Sequence, residues 1–237
     1  FILGMGSQTL SKELMEFYDF NPKMVSVSAI VQRRSKILPA AFQYLFHEFN
    51  ESFSQTNFFH GYRLYAVDGS DIHIPTIPDD KETFYRANDD SKGYNLMHLN
   101  ALYDLMNRRY IDTVLQDSRN ENEHSALIGM AKNVKCDSII VADRGYEAYN
   151  NIAHFENNGL KYVIRIRTTS GIAQKFNIPA DKEADFTPDI LLTRRQTNEV
   201  KTNPELYRYL PAFSTFDFLP KGSKDTYPLK FRIIRIR

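Results

Sequence analysis

The sequence predicts an α/β layered domain on a mixed sheet, entered through a helical segment and followed by a β-rich stretch. Three features carry this. Apolar residues recur at helical spacing through the first fifty positions. From Tyr62 to Gln116 the chain reads as strand-like runs. Ser138-Ile-Ile-Val-Ala142 is then short and wholly apolar, as a buried central strand is, with helical patterns on either side.

A chain of 237 residues has room for one or two domains with a sizeable core. With 42% hydrophobic and 25% charged residues it is neither a disordered chain, a collagen-like repeat nor a coiled coil. No apolar run reaches the roughly 18 residues of a membrane helix. The single cysteine, Cys136, excludes an internal disulfide and a Cys-based zinc site, and reads as a small core residue. No oxidising compartment is required, and a reducing cytosol fits. A net charge of +1 means that any nucleic-acid binding comes from local patches.

In chain order, Leu10, Leu14, Phe17 and Tyr18 sit at helical spacing. Ser28 is the expected cap of a short helix carrying Arg33, Arg34 and Lys36. Pro39 suits the first turn of the next helix. Its apolar stripe, Phe42, Leu45, Phe46, Phe49 and Phe53, is expected to pack into a core. Tyr62 to Asp68 is a strand, with Leu64, Ala66 and Asp68 on one face and Tyr65 and Val67 on the other; Asp71 to Pro75 extends or ends it. Pro78 to Gly93 is loop-like. Tyr94–Tyr103 and Tyr110–Gln116 form a hairpin turning at Met106–Arg109. Asn120 as cap with Glu123 three residues on predicts a capping box and a helix to about Asn133. After the apolar strand, Asp143-Arg-Gly-Tyr146 turns the chain into a helix ended by Gly159. Lys161–Arg167 is the next strand. From Thr168 the prolines at 179, 188, 204, 211, 220 and 228 punctuate short β-like pieces without a strong helix.

Asp68 and Asp143 each close an apolar strand. If those strands lie side by side and parallel, the carboxylates face each other, and their repulsion raises one pKa unless a cation intervenes. Hard divalent ions suit such oxygen ligands. A pair of ions about 3.5–4 Å apart can activate an attacking oxygen and stabilise a leaving one. The competing reading is that each Asp only caps the following turn. Tyr146 reads as a packing residue. His124 reads as a surface residue, and His73 and His98 as core or surface strand residues. No histidine pair stands at zinc-site spacing, and no Gly-rich phosphate loop is present.

Val67-Asp68-Gly69-Ser70 and Ile140-Val-Ala-Asp143-Arg-Gly-Tyr146 resemble the first and second aspartate motifs of the DDE transposases, in the branch of bacterial insertion sequences with a DRGY or DRGF second motif. The element order resembles their ribonuclease-H-like core. Val25–Lys36 is similar to the family's helical N-terminal segment, and Asn120–His124 to the opening of its first core helix. The resemblance implies a helical N-terminal segment over 1–56 and an incomplete catalytic core over 57–167. A β-rich insertion with the start of the return to the core follows over 168–237. It also implies metal-dependent DNA cleavage and strand transfer, with Asp68 and Asp143 as catalytic metal ligands for two Mg²⁺ or Mn²⁺ ions. Implied partners are DNA, as terminal inverted repeats and target, and a second copy in the DNA complex. Arg33, Arg34, Lys36, Arg108, Arg109, Arg144, Arg194 and Arg195 are the phosphate-contact candidates.

The family's third carboxylate is a Glu on a helix after the insertion, and nothing within 1–237 matches its motif. Glu205-Leu-Tyr-Arg208 lies between prolines, and Glu147 is too close to Asp143. The chain reads as cut at both ends, so this Glu is expected beyond Arg237 and the fragment is expected to be inactive alone. The alternative is a non-catalytic or domesticated transposase that keeps only DNA binding. A glycosidase using two carboxylates is a third reading, disfavoured by the absence of tryptophan.

Overall fold

The structure, a computed structural model, describes residues 1–54, 56–86, 88, 90–167, 170–176 and 183–236. Thr168, Pro179 and Arg237, used in the sequence reading, lie outside the described residues. The chain forms two compact units, Phe1–Ser54 and Gln55–Arg237. Among the described residues no helix is long and apolar enough to cross a membrane.

The first unit holds a 3-10 turn and three helices, α1 (Leu10–Phe17), α2 (Val27–Arg34) and α3 (Pro39–Glu51). The cap of α2 is Ser26, not Ser28: its extended backbone lets the hydroxyl accept from the Ala29 amide at 3.2 Å. Pro39 opens α3 as expected. The stripe on α3 departs from expectation. Phe42, Leu45, Phe49 and Phe53 are exposed, and no residue of α3 is fully buried. A unit this small has little interior in which to bury them.

The second unit is built on a six-stranded sheet. Its strands are β1 (Arg63–Ile74), β2 (Phe84–Tyr85), β3 (Tyr94–Asp104), β4 (Arg109–Asp117), β5 (Ser138–Ala142) and β6 (Lys161–Ile164). The turn into β1 is tight: His60 and Gly61 both have positive φ between the bridged Phe59 and Tyr62. β1 lies between β3, antiparallel, and β5, parallel; β6 continues the parallel side. The outer edge of β3 is shared by β2 and β4. This order, with three antiparallel strands followed by parallel ones, is a ribonuclease-H-like mixed sheet.

α4 (Glu123–Ala131) and α5 (Tyr149–Asn157) supply the helical side of the core. Strand alternation sends Tyr65 and Val67 of β1 and Ile140 and Ala142 of β5 into one cluster with Leu127, Met130, Tyr146 and Phe155. α5 ends where Gly159 takes a left-handed conformation, with the amides of Gly159 and Leu160 bonded back to Glu156 and Phe155. Cys136 is exposed rather than a core residue, because it sits in the turn before β5.

The remaining strands are β7 (Ala184–Phe186), β8 (Asp189–Thr193), β9 (Tyr207–Tyr209), β10 (Thr226–Lys230) and β11 (Ile233–Arg235). They form a β10-β8-β9 sheet and a β11-β7 pair. A single-turn helix, α6 (Gly171–Gln174), precedes them, and another, α7 (Asn198–Thr202), lies between β8 and β9. The apolar-basic stretch at 229–235 pairs with β8 and β7. Ile152 and Ala153 of α5 share a second core with Ile190, Leu192, Phe216 and Leu229, so this region packs on the α5 side of the domain.

Candidate active site

The parallel register of β1 and β5 places Val67 opposite Ala142. Asp68, midway along β1, and Asp143, just after β5, are the next residues, so they lie at the same level on neighbouring strands. Both are exposed. Each has one oxygen held by a nearby amide: Gly69 N–H donates to Asp68 Oδ1 at 3.0 Å, and Gly145 N–H to Asp143 Oδ1 at 2.6 Å. Asp143 does cap the 3-10 turn Arg144–Tyr146, as the competing reading held, but it does so through Oδ1.

Glu123 arrives from a third element. The helix cap is Asn122, whose side chain accepts from Ser125 N at 3.0 Å; the expected capping box from Asn120 does not form. Glu123 thus becomes the first residue of α4 rather than its third. From that position its carboxylate does not fold back onto the cap amide. It reaches over the sheet instead. A methyl group at position 69 would lie 2.4 Å from Glu123 Oε1, and one at position 145 would lie 2.9 Å from Asp143 Oδ1 and 3.9 Å from Glu123 Oε2. Glycine at 69 is therefore what lets Glu123 approach β1.

His98 holds Glu123 from below. Asp71 and His98 are paired across β1 and β3, and the ring is 6% exposed. Nδ1 lies 2.9 Å from Asp71 Oδ1 and 3.3 Å from Glu121 Oε2, and Nε2 lies 3.1 Å from Glu123 Oε1. Burial opposes a charge on the ring. The hydrogen bond with Asp71 and the charges of Glu121, Glu123 and Asp71 outweigh it, and the pKa is raised. Asp71, His98 and Glu121 also bring ligand atoms within 4.8 Å of one another, a group able to hold a metal ion.

Tyr146 forms the floor. It is 1% exposed, and its hydroxyl has no hydrogen-bond partner. Burial raises its pKa, and the charges of Glu123, Asp68 and Asp143 raise it further, so the hydroxyl stays protonated and available as a donor. Its main chain is held by Asn151, whose Nδ2 donates to the Tyr146 carbonyl at 2.9 Å and lies 2.7 Å from His124 Nδ1, and the His124 ring meets the Tyr146 ring edge-on. An orphaned buried hydroxyl beside hard oxygen donors fits a divalent cation with its water shell.

Sequence reasoning missed Glu123 and His98. Glu123 was taken for a capping residue and His98 for an ordinary strand residue. Glu147 has a structural role: its carboxylate accepts from Arg167 N at 2.9 Å and Ile172 N at 2.5 Å, tying α6 to the turn after Asp143. Tyr207 and Arg208 lie in β9, so Glu205 opens no helix.

The basic candidates scatter. Arg33 and Arg34 end α2 in the first unit and are exposed, as is Lys36. Arg144 is exposed directly after Asp143. Arg108 and Arg109 lie at the β3–β4 turn; since Asp104 pairs with Tyr65, that turn is at the far end of β1 from Asp71. Arg195 is exposed beyond β8. Arg194 donates to the carbonyls of Pro211, Ser214, Leu219 and Phe216, which makes it a clamp on the 211–219 segment.

The family model of the transposase DDE domain matches residues 59–228. None of the curated proteins matches the chain. Among solved structures, the chain is similar to a piggyBac transposase in a synaptic complex with hairpin DNA, at 12% identity and a TM-score of 0.36; the likeness covers 53% of this chain and 28% of that one. The family match takes in Asp68, Glu123 and Asp143 and runs over well over half of the sequence: the chain belongs to the transposase DDE domain family.

Proposed function

We propose that this chain carries the catalytic core of a transposase that cleaves the ends of an insertion sequence and joins the freed 3′ hydroxyl to target DNA. Asp68 and Asp143 are the metal-holding carboxylates, and two Mg²⁺ or Mn²⁺ ions are the cofactors. The observation that carries this reading is the β1–β5 register, which brings the two aspartates to one level on adjacent parallel strands within the family match. When bound, the cations polarise the scissile phosphate and lower the pKa of the attacking water.

The chain's own residues orient and shield. The amides of Gly69 and Gly145 fix one oxygen of each aspartate. Tyr146 closes the site from the core side. Arg144, exposed beside Asp143, meets a DNA phosphate. Arg195, Arg108, Arg109 and the Arg33–Arg34–Lys36 group are the other contacts to the DNA backbone. Arg194 is left out of this set because its guanidinium holds backbone carbonyls. Residues 168–237 are the insertion, and residues 1–56 a DNA-binding segment of the same protein. The DNA partners are the terminal inverted repeats and the target, engaged by a pair of copies.

The test is cleavage of DNA carrying the element's end by the product of the whole reading frame, with Mg²⁺ or Mn²⁺. The unmodified protein is expected to cut, and Asp68→Asn and Asp143→Asn to be silent. Cutting that survives both changes overturns the assignment. Binding without cutting by the unmodified protein favours the non-catalytic alternative.

A further inference from the structure

We propose that Asp71, His98 and Glu121 form a second cation site, separate from the Asp68–Asp143 pair, that takes a divalent transition-metal ion such as Mn²⁺ through one imidazole nitrogen and two carboxylates. The inference goes beyond the function proposed above and does not rest on it.

The three ligands come from three places in the chain: β1, β3 and the segment that enters α4. Asp71 stands opposite His98 in the β1–β3 register, so strand pairing puts both side chains on one face of the sheet. Glu121 is brought there by Gln116, which stands opposite His98 on the other side, in β4. Gln116 Oε1 accepts from Asn122 N at 3.0 Å and from the buried Asn100 Nδ2 at 3.1 Å. Neutral hydrogen bonds thus fasten the 120–122 segment to the sheet, whatever the charges nearby do.

The separations suit a shared ion. His98 Nδ1 lies 2.9 Å from Asp71 Oδ1 and 3.3 Å from Glu121 Oε2. Bonds of ~2.0–2.2 Å from an ion to nitrogen and oxygen put neighbouring atoms of an octahedral or tetrahedral shell about 2.8–3.6 Å apart. A proton accounts for the arrangement less well. Nδ1 carries at most one, yet it faces two carboxylates. The ring is 6% exposed, and its Nε2 has no aligned acceptor although Glu123 Oε1 is 3.1 Å away. An imidazolium would therefore leave a buried N–H unpaired while three carboxylates share its single charge. An ion at Nδ1 serves Asp71 and Glu121 at once. Nε2–H then faces Glu123, the outer carboxylate partner that metal-bound histidines commonly have. The Asp71 and Glu121 side chains are about half exposed, so the remaining coordination positions open to water. A mixed nitrogen and oxygen set favours Mn²⁺ over Mg²⁺, which keeps to oxygen ligands. Bound there, the ion pins the entry of α4 to the β1–β3 ladder, three residues along the strand from Asp68.

Electron spin echo spectroscopy of Mn²⁺ titrated into the full chain tests this without any need for catalysis. Bound Mn²⁺ is expected to show modulation from a directly coordinated imidazole nitrogen, which a site made of carboxylates alone cannot give. Loss of even an outer partner of a metal site costs about 10–100-fold in affinity, so Asp71→Asn, Glu121→Gln and His98→Gln should each weaken the nitrogen-coupled ion at least tenfold. Asp68→Asn and Asp143→Asn should leave it in place. Saturable Mn²⁺ binding without nitrogen modulation overturns the inference and leaves the proposed function standing. Nitrogen coupling that disappears in Asp68→Asn or Asp143→Asn overturns it as well, because the ion then belongs to the aspartate pair. So does the absence of saturable binding. Thermal unfolding without metal reports whether His98→Gln folds. Should it not, Asp71→Asn and Glu121→Gln carry the test, since both side chains are half exposed. Modulation that persists at full affinity in these two variants puts the ion on another histidine and overturns the proposal.

Discussion

Glu123 Oε1 lies 3.1 Å from His98 Nε2, yet that nitrogen has no aligned hydrogen-bond acceptor. The contact is electrostatic, and it joins a helix N-terminus to a strand residue on the buried side of β1. Replacing His98 by Gln removes the positive partner of three carboxylates. Their side chains are about half exposed, so solvent screens much of the loss. The metal-free chain is expected to lose only about 1 kcal/mol. Calorimetry or thermal unfolding measures this. Added Mn²⁺ should widen the deficit, because the unmodified chain holds the ion more tightly than the variant; a deficit that Mn²⁺ leaves untouched shows His98 to be a packing residue.

Gly69→Ala probes the same junction from the strand. The new methyl would come within 2.4 Å of Glu123 Oε1 and 2.6 Å of His98 Nε2. Glu123 can swing aside, but His98 is a buried ring held by Asp71, so the expected loss of stability is about 1–3 kcal/mol, read by thermal unfolding. An unchanged melting temperature counts against the close approach of Glu123 and His98 to β1.

Much of the sheet was legible because its residues obey short-range rules. Alternation set Tyr65 and Val67 against Leu64, Ala66 and Asp68, and the apolar run 138–142 is β5 at its expected bounds. Asp143 was legible as a charge closing an apolar strand; Asp68 was singled out by the same rule, although β1 runs on past it to Ile74. Glu123 and His98 were not. The N-x-x-E pattern at 120–123 satisfies the capping-box rule on paper, but Asn122 competes for the same helix and wins by bonding Ser125. His98 meets Asp71 only through the long-range register of β1 and β3, which no local window contains. The same limit hid β2 and the partners of β10 and β11, which are short and depend on distant strands. The exposed stripe of α3 went wrong for another reason. Amphipathic spacing says which face is apolar and not whether anything covers it.

The core that holds the site can be tested away from it. Leu127 is fully buried between the sheet and α5. Leu127→Ala leaves a cavity in a packed cluster and should cost about 2–5 kcal/mol, read as a lowered denaturant midpoint. A cost under about 1 kcal/mol would mean that α4 packs loosely, which leaves no rigid base for Glu123.

Arg194 and Arg195 are neighbours with opposite expectations. Arg194 holds four backbone carbonyls, so Arg194→Gln should lower stability by roughly 2 kcal/mol. Arg195 is exposed, and Arg195→Gln should leave the melting temperature unchanged. In DNA binding, Arg195→Gln should reduce the dependence of affinity on salt by about one phosphate contact. An unaltered slope assigns Arg195 to a solvated surface.

Asp217 fastens the β-rich region to α5. Asn150 Nδ2 donates to its Oδ2 at 3.0 Å, His154 Nε2 lies 2.7 Å from the same oxygen, and the Asp217 amide donates to Asn150 Oδ1 at 2.9 Å. The hydrogen bond from Asn150 and then that from His154 hold its pKa below the ordinary carboxylate value. A carboxylate with a depressed folded-state pKa binds its proton more readily in the unfolded chain. Its stabilising effect is therefore fully present above the unfolded value of about 3.9, and is lost as pH falls through that value toward the folded one. Asp217→Asn keeps the shape and removes the charge. At about pH 5.5 the variant should melt below the parent chain, and the gap should narrow as pH falls below the unfolded value of about 3.9 toward the depressed folded one. The side chain is half exposed, so the gap is expected to be small and to shrink in high salt. A gap that persists unchanged at low pH would assign the effect to the altered amide rather than to the charge, and the link between α5 and the 211–219 segment would then rest on the neutral bond between the Asp217 amide and Asn150.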